Sequence, residues 1–393
     1  MISKDKIEKI RFLFPVFNRF VYMNTGWCSP RAQNVYEAID KINRIELEEG
    51  VGSLKMRDIQ EEIRNSLRTK IAKFLKAEDD EIAITQNTSS GINIIVTCFS
   101  FKKDDEVIIS SEEHPAGIVP WLQLKNLKGI SLKVVKTASP EKFLSSIRDA
   151  INKKTKLIML SHISCMTGFR FPIEEICKIA NEKGIPTLID GAQSSGQINV
   201  DVHKLGCDFY AIPGQKWMLG PESTGALYIR KDWLPKIQSI NAGYRSIKKF
   251  DFVKPYMELH TSAKRFEMFD TNAGLMKGLD EGISLLMESG IEEIEETIKS
   301  KTKALIEELS KIKNIDILTP SNYSKYPDSG LLSIQLNDID AAIAVKKLYE
   351  KFNIIARHFR TGNILRFSVN FFNNDNDSTK VIEAVSQIAS SSL

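Results

Sequence analysis

The chain has 393 residues, a formal net charge of +4, 42% hydrophobic and 26% charged residues, values that fit a soluble globular protein with one large and one smaller core. Acidic and basic residues are interspersed, so no nucleic-acid stripe is expected, and the apolar stretch Ile92–Phe101, broken by Asn93, Thr97 and Ser100, is too short for a membrane span. Five cysteines (Cys28, Cys98, Cys165, Cys177, Cys207) form no CxxC pair, so neither a disulfide framework nor a metal site is expected, and a cytoplasmic location fits best.

Short apolar, β-branched runs predict strands at Glu81–Thr85, Glu106–Ser110, Ser131–Val135, Lys156–Ser161, Pro186–Asp190, Asp208–Ala211 and Gly225–Ile229. Amphipathic helices lie between several of them. In Pro172–Lys183, for example, Ile173, Ile176, Cys177 and Ala180 recur at helical spacing, with the proline in the first turn. This alternation predicts a mostly parallel seven-stranded sheet with helices on both faces. After about residue 250 the pattern changes. A long helical region is expected from roughly Asn272 to Lys313. Two strand–helix stretches follow: Gly330–Gln335 with Ile339–Lys351, then Ile354–Arg357 and Ile364–Val369 with a helix near Ser378–Ser391. The expected organisation is a large α/β domain over 18–250 and a smaller α+β domain over 251–393, with residues 1–17 packing on the latter.

In open α/β sheets, ligands sit beyond the carboxyl ends of the strands, and four such loops carry reactive side chains. Asn87-Thr88-Ser89-Ser90-Gly91 opens an apolar helix, where hydroxyls and free N–H groups suit a phosphate; ordinary capping explains them equally well. Glu113-His114-Pro115 offers an imidazole that can stack on an aromatic ligand or be incidental. Asp190, at the end of an apolar strand and followed by Gly191-Ala192-Gln193, can hold a pyridinium N–H or cap the next turn. Lys216, in Pro213-Gly214-Gln215-Lys216-Trp217, is either a surface lysine or a desolvated amine suited to Schiff-base chemistry. The ordered occurrence of all four on strand ends favours the chemical readings.

The block LIDGAQSSGQINVDVHKLGCDFYAIPGQKWMLGPESTGALYIRK (188–231) and the segment SSEEHPAGIVPW (110–121) resemble the class V aminotransferases, a group of fold-type I enzymes dependent on pyridoxal 5'-phosphate (PLP). That group includes cysteine desulfurases, cysteine C–S lyases, isopenicillin N epimerase and small-amino-acid aminotransferases. The resemblance covers roughly residues 20 to 390. It implies the PLP-dependent transferase fold, an active site at a homodimer interface and an amino-acid substrate. It also implies roles for single residues. Lys216 matches the lysine that holds PLP as a Schiff base, Asp190 the partner of the ring nitrogen, Gln193 the partner of its phenolic oxygen, and His114 the stacked imidazole. Thr88 and Ser89 match the phosphate loop, with Gln215 beside the cofactor. Arg366 matches the arginine that takes the substrate carboxylate, a task suited to a planar guanidinium, and Arg357 and Asn24 are expected near it. The stretch Arg265–Asn272 resembles the segment that reaches the neighbouring subunit's phosphate, with Thr271 as the contact.

Departures from the family pattern narrow the activity. The Ser-x-His-Lys of desulfurases is Pro213-Gly214-Gln215-Lys216 here, and Cys165 replaces the Asn that usually precedes the Thr-Gly turn. Desulfurases carry a mobile cysteine on the loop before the carboxylate arginine. Here that stretch is short, IIARHFRTGNILR (354–366), and has no cysteine. Trp217 and the short loop resemble the lyase and epimerase branch. The resemblance therefore implies β-elimination on cysteine, cystine or a related amino acid, with a small-amino-acid aminotransferase or an epimerase as alternatives. A non-catalytic binding protein would be expected to lose Lys216 or Asp190, and both are present.

Overall fold

A computed structural model describes residues 1–238, 240–320 and 329–390. A two-residue strand, β1 (Val21–Tyr22), precedes the seven that build the central sheet: β2 (Ile82–Thr85), β3 (Glu106–Ser110), β4 (Ser131–Val135), β5 (Thr155–Ser161), β6 (Thr187–Asp190), β7 (Phe209–Pro213) and β8 (Gly225–Ile229). Their order in the sheet is β2-β8-β7-β6-β5-β3-β4. All neighbours run parallel except β8, which is antiparallel to both β2 and β7.

Alternation along each strand explains why the sheet is buried on both sides. Ala83, Val107, Ile109, Leu157, Met159, Leu188 and Leu227 pack with Ile92, Ile95 and Trp121 from helices Thr88–Cys98 and Pro115–Lys128. Their neighbours Ile84, Ile108, Ile158, Leu160, Ile189 and Tyr228 join a second cluster on the opposite face. It includes Leu67, Ile71, Phe143 and Ile176 from helices Leu54–Leu75, Pro140–Ala150 and Ile173–Glu182. Gly91 lies where helix Thr88–Cys98 crosses β7. A Cβ there would stand 3.0 Å from Ala211 Cβ, so the glycine lets the helix start approach the strand ends.

Beyond the sheet, β9 (Ile247–Asp251) and β10 (Tyr256–Leu259) form an antiparallel hairpin that exposes Phe250, Phe252, Val253, Tyr256 and Met257. The expected helical region 272–313 is two helices, Ala273–Ser289 and Ile291–Leu309, broken at Gly290, whose φ of +84° leaves the helical range. The remaining strands are β11 (Ile315–Ile317), β12 (Leu331–Leu336), β13 (Ile354–Ile355), β14 (Arg357–Phe359) and β15 (Ile364–Ser368). Four of these form an antiparallel sheet ordered β11-β12-β15-β14. Its core, including Leu332, Ile334, Leu348, Phe367 and Val385, also takes in Val21 and Met23, because β1 pairs in parallel with β13. The last helix is Asp375–Ser390; the expected end at Ser391 lies outside the described residues. The N-terminal helix Lys4–Arg11 bridges both parts. Ile7 and Ile10 enter the larger core, while Arg11 forms an ion pair with Asp377 at 2.8 Å.

Candidate active site

The carboxyl ends of β2, β3, β6 and β7 converge with β14 and β15 on a cavity of about 260 Å³. Ten of the residues singled out above that share this region stand on its wall: Thr88, Ser89, His114, Asp190, Gln193, Gln215, Lys216, Arg357 and Arg366, with Cys165 beside them. Asn24 and Thr271 are not among the lining residues. Asn24 forms a parallel bridge with Ser368, and Thr271 lies two residues before helix Ala273–Ser289.

At one end, Asn87 caps helix Thr88–Cys98, its Oδ1 accepting from Ser90 N at 2.9 Å. The helix start leaves N–H groups for an anion. Thr88 Oγ1 and Gln215 Oε1 are buried beside it without a hydrogen-bond partner among the described residues.

On the floor, register lines up Ser161, Asp190 and Ala211 across β5, β6 and β7. Asp190 Oδ1 accepts from Ala192 N at 2.8 Å. Burial raises its pKa, opposed by the nearby Lys216 charge and the Ala192 N–H. The residue after it must be glycine, since a Cβ on Gly191 would lie 2.2 Å from the Tyr210 ring. Gln193 is held at both ends of its amide: Nε2 donates to Gly26 O at 2.7 Å, and Oε1 accepts from Trp217 Nε1 at 2.9 Å.

Lys216 sits in the link between β7 and the antiparallel β8. That link is closed by Gly214 N donating to Thr224 O at 2.7 Å, and Ser29 N donates to Gln215 O at 2.7 Å. Burial lowers the Lys216 pKa and so favours the neutral, nucleophilic amine; the Asp190 charge opposes this. His114 caps helix Pro115–Lys128, its Nδ1 accepting from Ala116 N at 3.1 Å, so the proton of the neutral ring resides on Nε2. Burial, then the charges of Lys216, Arg366 and Arg357, lower its pKa to about 4.

Arg357 and Arg366 are cross-strand neighbours on β14 and β15. Arg366 is 2% exposed, donates from Nη1 to Cys165 O at 2.7 Å and lies 5.1 Å from the Phe359 ring centroid. Arg357 lies 5.3 Å from the ring centroid of Trp27. Among the described residues neither guanidinium forms an ion pair with a carboxylate, and burial lowers the Arg366 pKa to about 10.

Sequence reasoning passed over three neighbours. Trp27 and Phe359 line the cavity with their rings against Arg357 and Arg366, Phe359 through the β14–β15 register and Trp27 through the turn after β1. Glu113 is buried next to His114. Its Oε1 accepts from Ser110 Oγ at 2.5 Å, and its Oε2 accepts from Ser161 N at 2.9 Å and Ser161 Oγ at 2.6 Å. Burial outweighs these bonds and raises its pKa to about 7.

The site thus combines an anion pocket at a helix start, a buried carboxylate, a buried amine and an unpaired guanidinium. That set is chemically suited to a phosphorylated cofactor with a ring nitrogen and to a ligand with a carboxylate. A family profile for class-V aminotransferases matches residues 28–376, and the chain belongs to that family. It is therefore a PLP-dependent enzyme, and the orphaned Thr88 Oγ1 and Gln215 Oε1, the helix start, Asp190 and Lys216 fit that cofactor. The chain is 29% identical to a probable cysteine desulfurase of Methanothermobacter thermautotrophicus over 98% of each chain. It is 30% identical to a cysteine desulfurase of Wigglesworthia glossinidia brevipalpis, covering 82% of this chain and 81% of that one. Among solved structures it shares its fold with the cystine C–S lyase C-DES, crystallised with its product cysteine persulfide. That match has a TM-score of 0.89 at 24% identity, covering 95% of this chain and 99% of that one. The apo cysteine desulfurase of Thermococcus onnurineus NA1 matches with a TM-score of 0.89 at 24% identity over the whole of both chains.

Proposed function

We propose that this enzyme is a C–S lyase. It cleaves cysteine, cystine or a related β-substituted amino acid by β-elimination and forms no protein-bound persulfide. The names of the relatives supply the substrate class. The observation that carries the reaction type is the segment 354–366. A persulfide relay needs a thiol on a mobile stretch beside the carboxylate arginine. Here Arg357, His358 and Phe359 pair with Arg366, Leu365 and Ile364 in a tight antiparallel hairpin without a cysteine.

When bound, PLP supplies the electron sink for the Cα electrons. Thr88, Ser89 and Gln215 would hold its phosphate, Asp190 the proton on its ring nitrogen, Gln193 its phenolic oxygen, and His114 one face of the ring. Lys216 would hold the cofactor and, as a free amine, would serve as the base that takes the Cα proton. Arg366 binds the α-carboxylate bidentately. Arg357, stacked on Trp27, faces the same cavity and suits a second carboxylate such as the distal one of cystine. As the Cα proton passes to Lys216, the Cβ–S bond opens and sulfur departs with its electron pair, as sulfide from cysteine or as cysteine persulfide from cystine. The released enamine hydrolyses in water to pyruvate and ammonia.

The enzyme acts as a homodimer in this reading, with the apolar β9–β10 hairpin in the interface and Thr271 turned toward the partner. Five unpaired cysteines support a reducing, cytoplasmic setting. The test is a substrate screen that follows pyruvate release and keto-acid exchange together, with mass spectrometry of the protein after turnover. Pyruvate with an unmodified chain is expected. Alanine with sulfur on Cys165 or Cys28 overturns the lyase reading, and stoichiometric amino transfer from alanine, serine or aspartate to a keto acid replaces it with an aminotransferase.

A further inference from the structure

Arg366 is a buried cation with little to fix its direction. Among the described residues its Nε has no hydrogen-bond partner; Nη1 donates to the main-chain oxygen of Cys165 at 2.7 Å, and the Phe359 ring lies 5.1 Å from the guanidinium carbon. The aim of the guanidinium therefore depends on where that carbonyl stands. Cys165 lies within the turn Ser164–Thr167 that leaves β5, and the turn is internally tied: Met166 N and Thr167 N each donate to Ser164 Oγ at 3.1 Å.

Two side chains tether the turn from outside: Ser333 Oγ donates to Met166 O from β12, and a carboxylate oxygen holds it on the side of β3. Glu112 Oε2 accepts from Ser164 Oγ and from Thr167 Oγ1, both at 2.5 Å. Glu112 stands two residues before His114, on the segment that leaves β3. Glu113, between them, ties the same segment to Ser161 in register with Asp190. Two consecutive glutamates thus fasten one segment to two places: Glu113 to the strand end beside Asp190, and Glu112 to the turn whose carbonyl receives Arg366.

We propose that Glu112 is a positioning residue for substrate recognition, holding the Ser164–Thr167 turn so that the Cys165 carbonyl aims Arg366 at the substrate carboxylate. It touches neither cofactor nor substrate and acts through Arg366. Charge-assisted hydrogen bonds of this kind are short and about twice as strong as neutral ones, so their loss loosens the turn on the side that carries the Cys165 carbonyl, while Ser333 still holds Met166 O.

The inference rests on Arg366 as the carboxylate ligand, and the experiment separates the two. Holoenzymes carrying Glu112→Ala, Glu112→Gln, Thr167→Val and Arg366→Lys are compared with wild type for KM and kcat on L-cystine and L-cysteine. PLP affinity is titrated by absorbance in parallel. Glu112→Ala is expected to raise KM about tenfold with kcat and PLP affinity kept, the equivalent of one charge-assisted hydrogen bond. Thr167→Val, a milder change that removes one of the two donors, moves KM the same way by less. Glu112→Gln keeps an acceptor oxygen and restores most of the affinity. In the Arg366→Lys background Glu112→Ala adds little, because the two act on one interaction. Unchanged KM in both Glu112→Ala and Thr167→Val, a joint fall of kcat and PLP affinity, or full additivity with Arg366→Lys overturns the proposal while leaving Arg366 in its role. Unchanged KM in Arg366→Lys itself overturns both.

Discussion

Replacing Glu113 with glutamine separates a buried carboxyl's hydrogen bonds from its titration. The amide oxygen can accept from Ser161 N and Oγ as Oε2 does now, and the amide N–H can donate to Ser110 Oγ. What disappears is the proton equilibrium. Folding raises this carboxyl from 4.5 to about 7, so between those values the folded chain binds a proton that the unfolded chain has released. The group's contribution to stability is full below pH 4.5 and is lost as pH rises through 7. At about 1.36 kcal/mol per pH unit the gap amounts to about 3 kcal/mol. His114 works in the opposite direction. Its pKa falls from 6.5 to about 4, so its contribution is present above pH 6.5 and is lost as pH drops toward 4. Because both proteins keep His114, that part cancels in the comparison. Urea unfolding followed by tryptophan fluorescence, at saturating PLP and at pH 5 and pH 8, measures the difference. Wild type is expected to lose about 2 to 3 kcal/mol relative to Glu113→Gln between the two pH values. Parallel profiles would falsify the reasoning, because they would mean that Glu113 stays ionised in the folded chain.

Lys216→Ala is expected to abolish turnover and the borohydride-reducible link while PLP still binds through its phosphate; peptide mapping that places the pyridoxyl group on another lysine removes Lys216 from the mechanism. Asp190→Asn leaves the fold intact but lowers kcat by roughly a hundredfold or more, since a neutral amide loses an ionic hydrogen bond of about 1.5–3 kcal/mol that strengthens as charge moves into the ring; near-normal kcat refutes the role. Phe252→Asp with Val253→Asp on the exposed hairpin, at 92% and 90% exposure, is expected to shift a dimer toward monomer in analytical ultracentrifugation without changing the circular dichroism. A sedimentation profile unchanged by both charges moves the interface elsewhere.

Most of the central sheet was legible because each strand carries its own apolar, β-branched run, and the reactive residues stand at the ends of those runs. The direction of β8 was not. Gly225–Ile229 has the composition of its parallel neighbours, and its reversal shows only in the short link Gly214–Thr224, which has no room for a crossover helix. Gly290 was inside an unbroken helical expectation because a single glycine is tolerated in a helix unless its φ turns positive. Helices Gln33–Glu49 and Leu54–Leu75 and the β9–β10 hairpin precede or follow the alternating region and were passed over. In the site, chain order and family resemblance supplied the groups that lie on strand ends. Trp27, Phe359, Glu112 and Glu113 reach the site through ring contacts, cross-strand register and side-chain hydrogen bonds, which no local pattern encodes.

The reversed strand also has a consequence for how the protein is made. β2, which leads into the anion pocket, has one neighbour in the sheet, and that neighbour is β8. A ribosome adding about 5–20 residues per second leaves β2 unpaired for on the order of ten seconds between Thr85 and Gly225. Throughout that interval its backbone N–H and C=O groups form an open edge, able to pair with another nascent chain. The two loops that flank the cofactor pocket, one after β2 and one before β8, are joined through the sheet only when this last strand pairs with both β2 and β7. A fragment that stops short of residue 225 therefore keeps β2 as an open edge and is expected in the insoluble fraction.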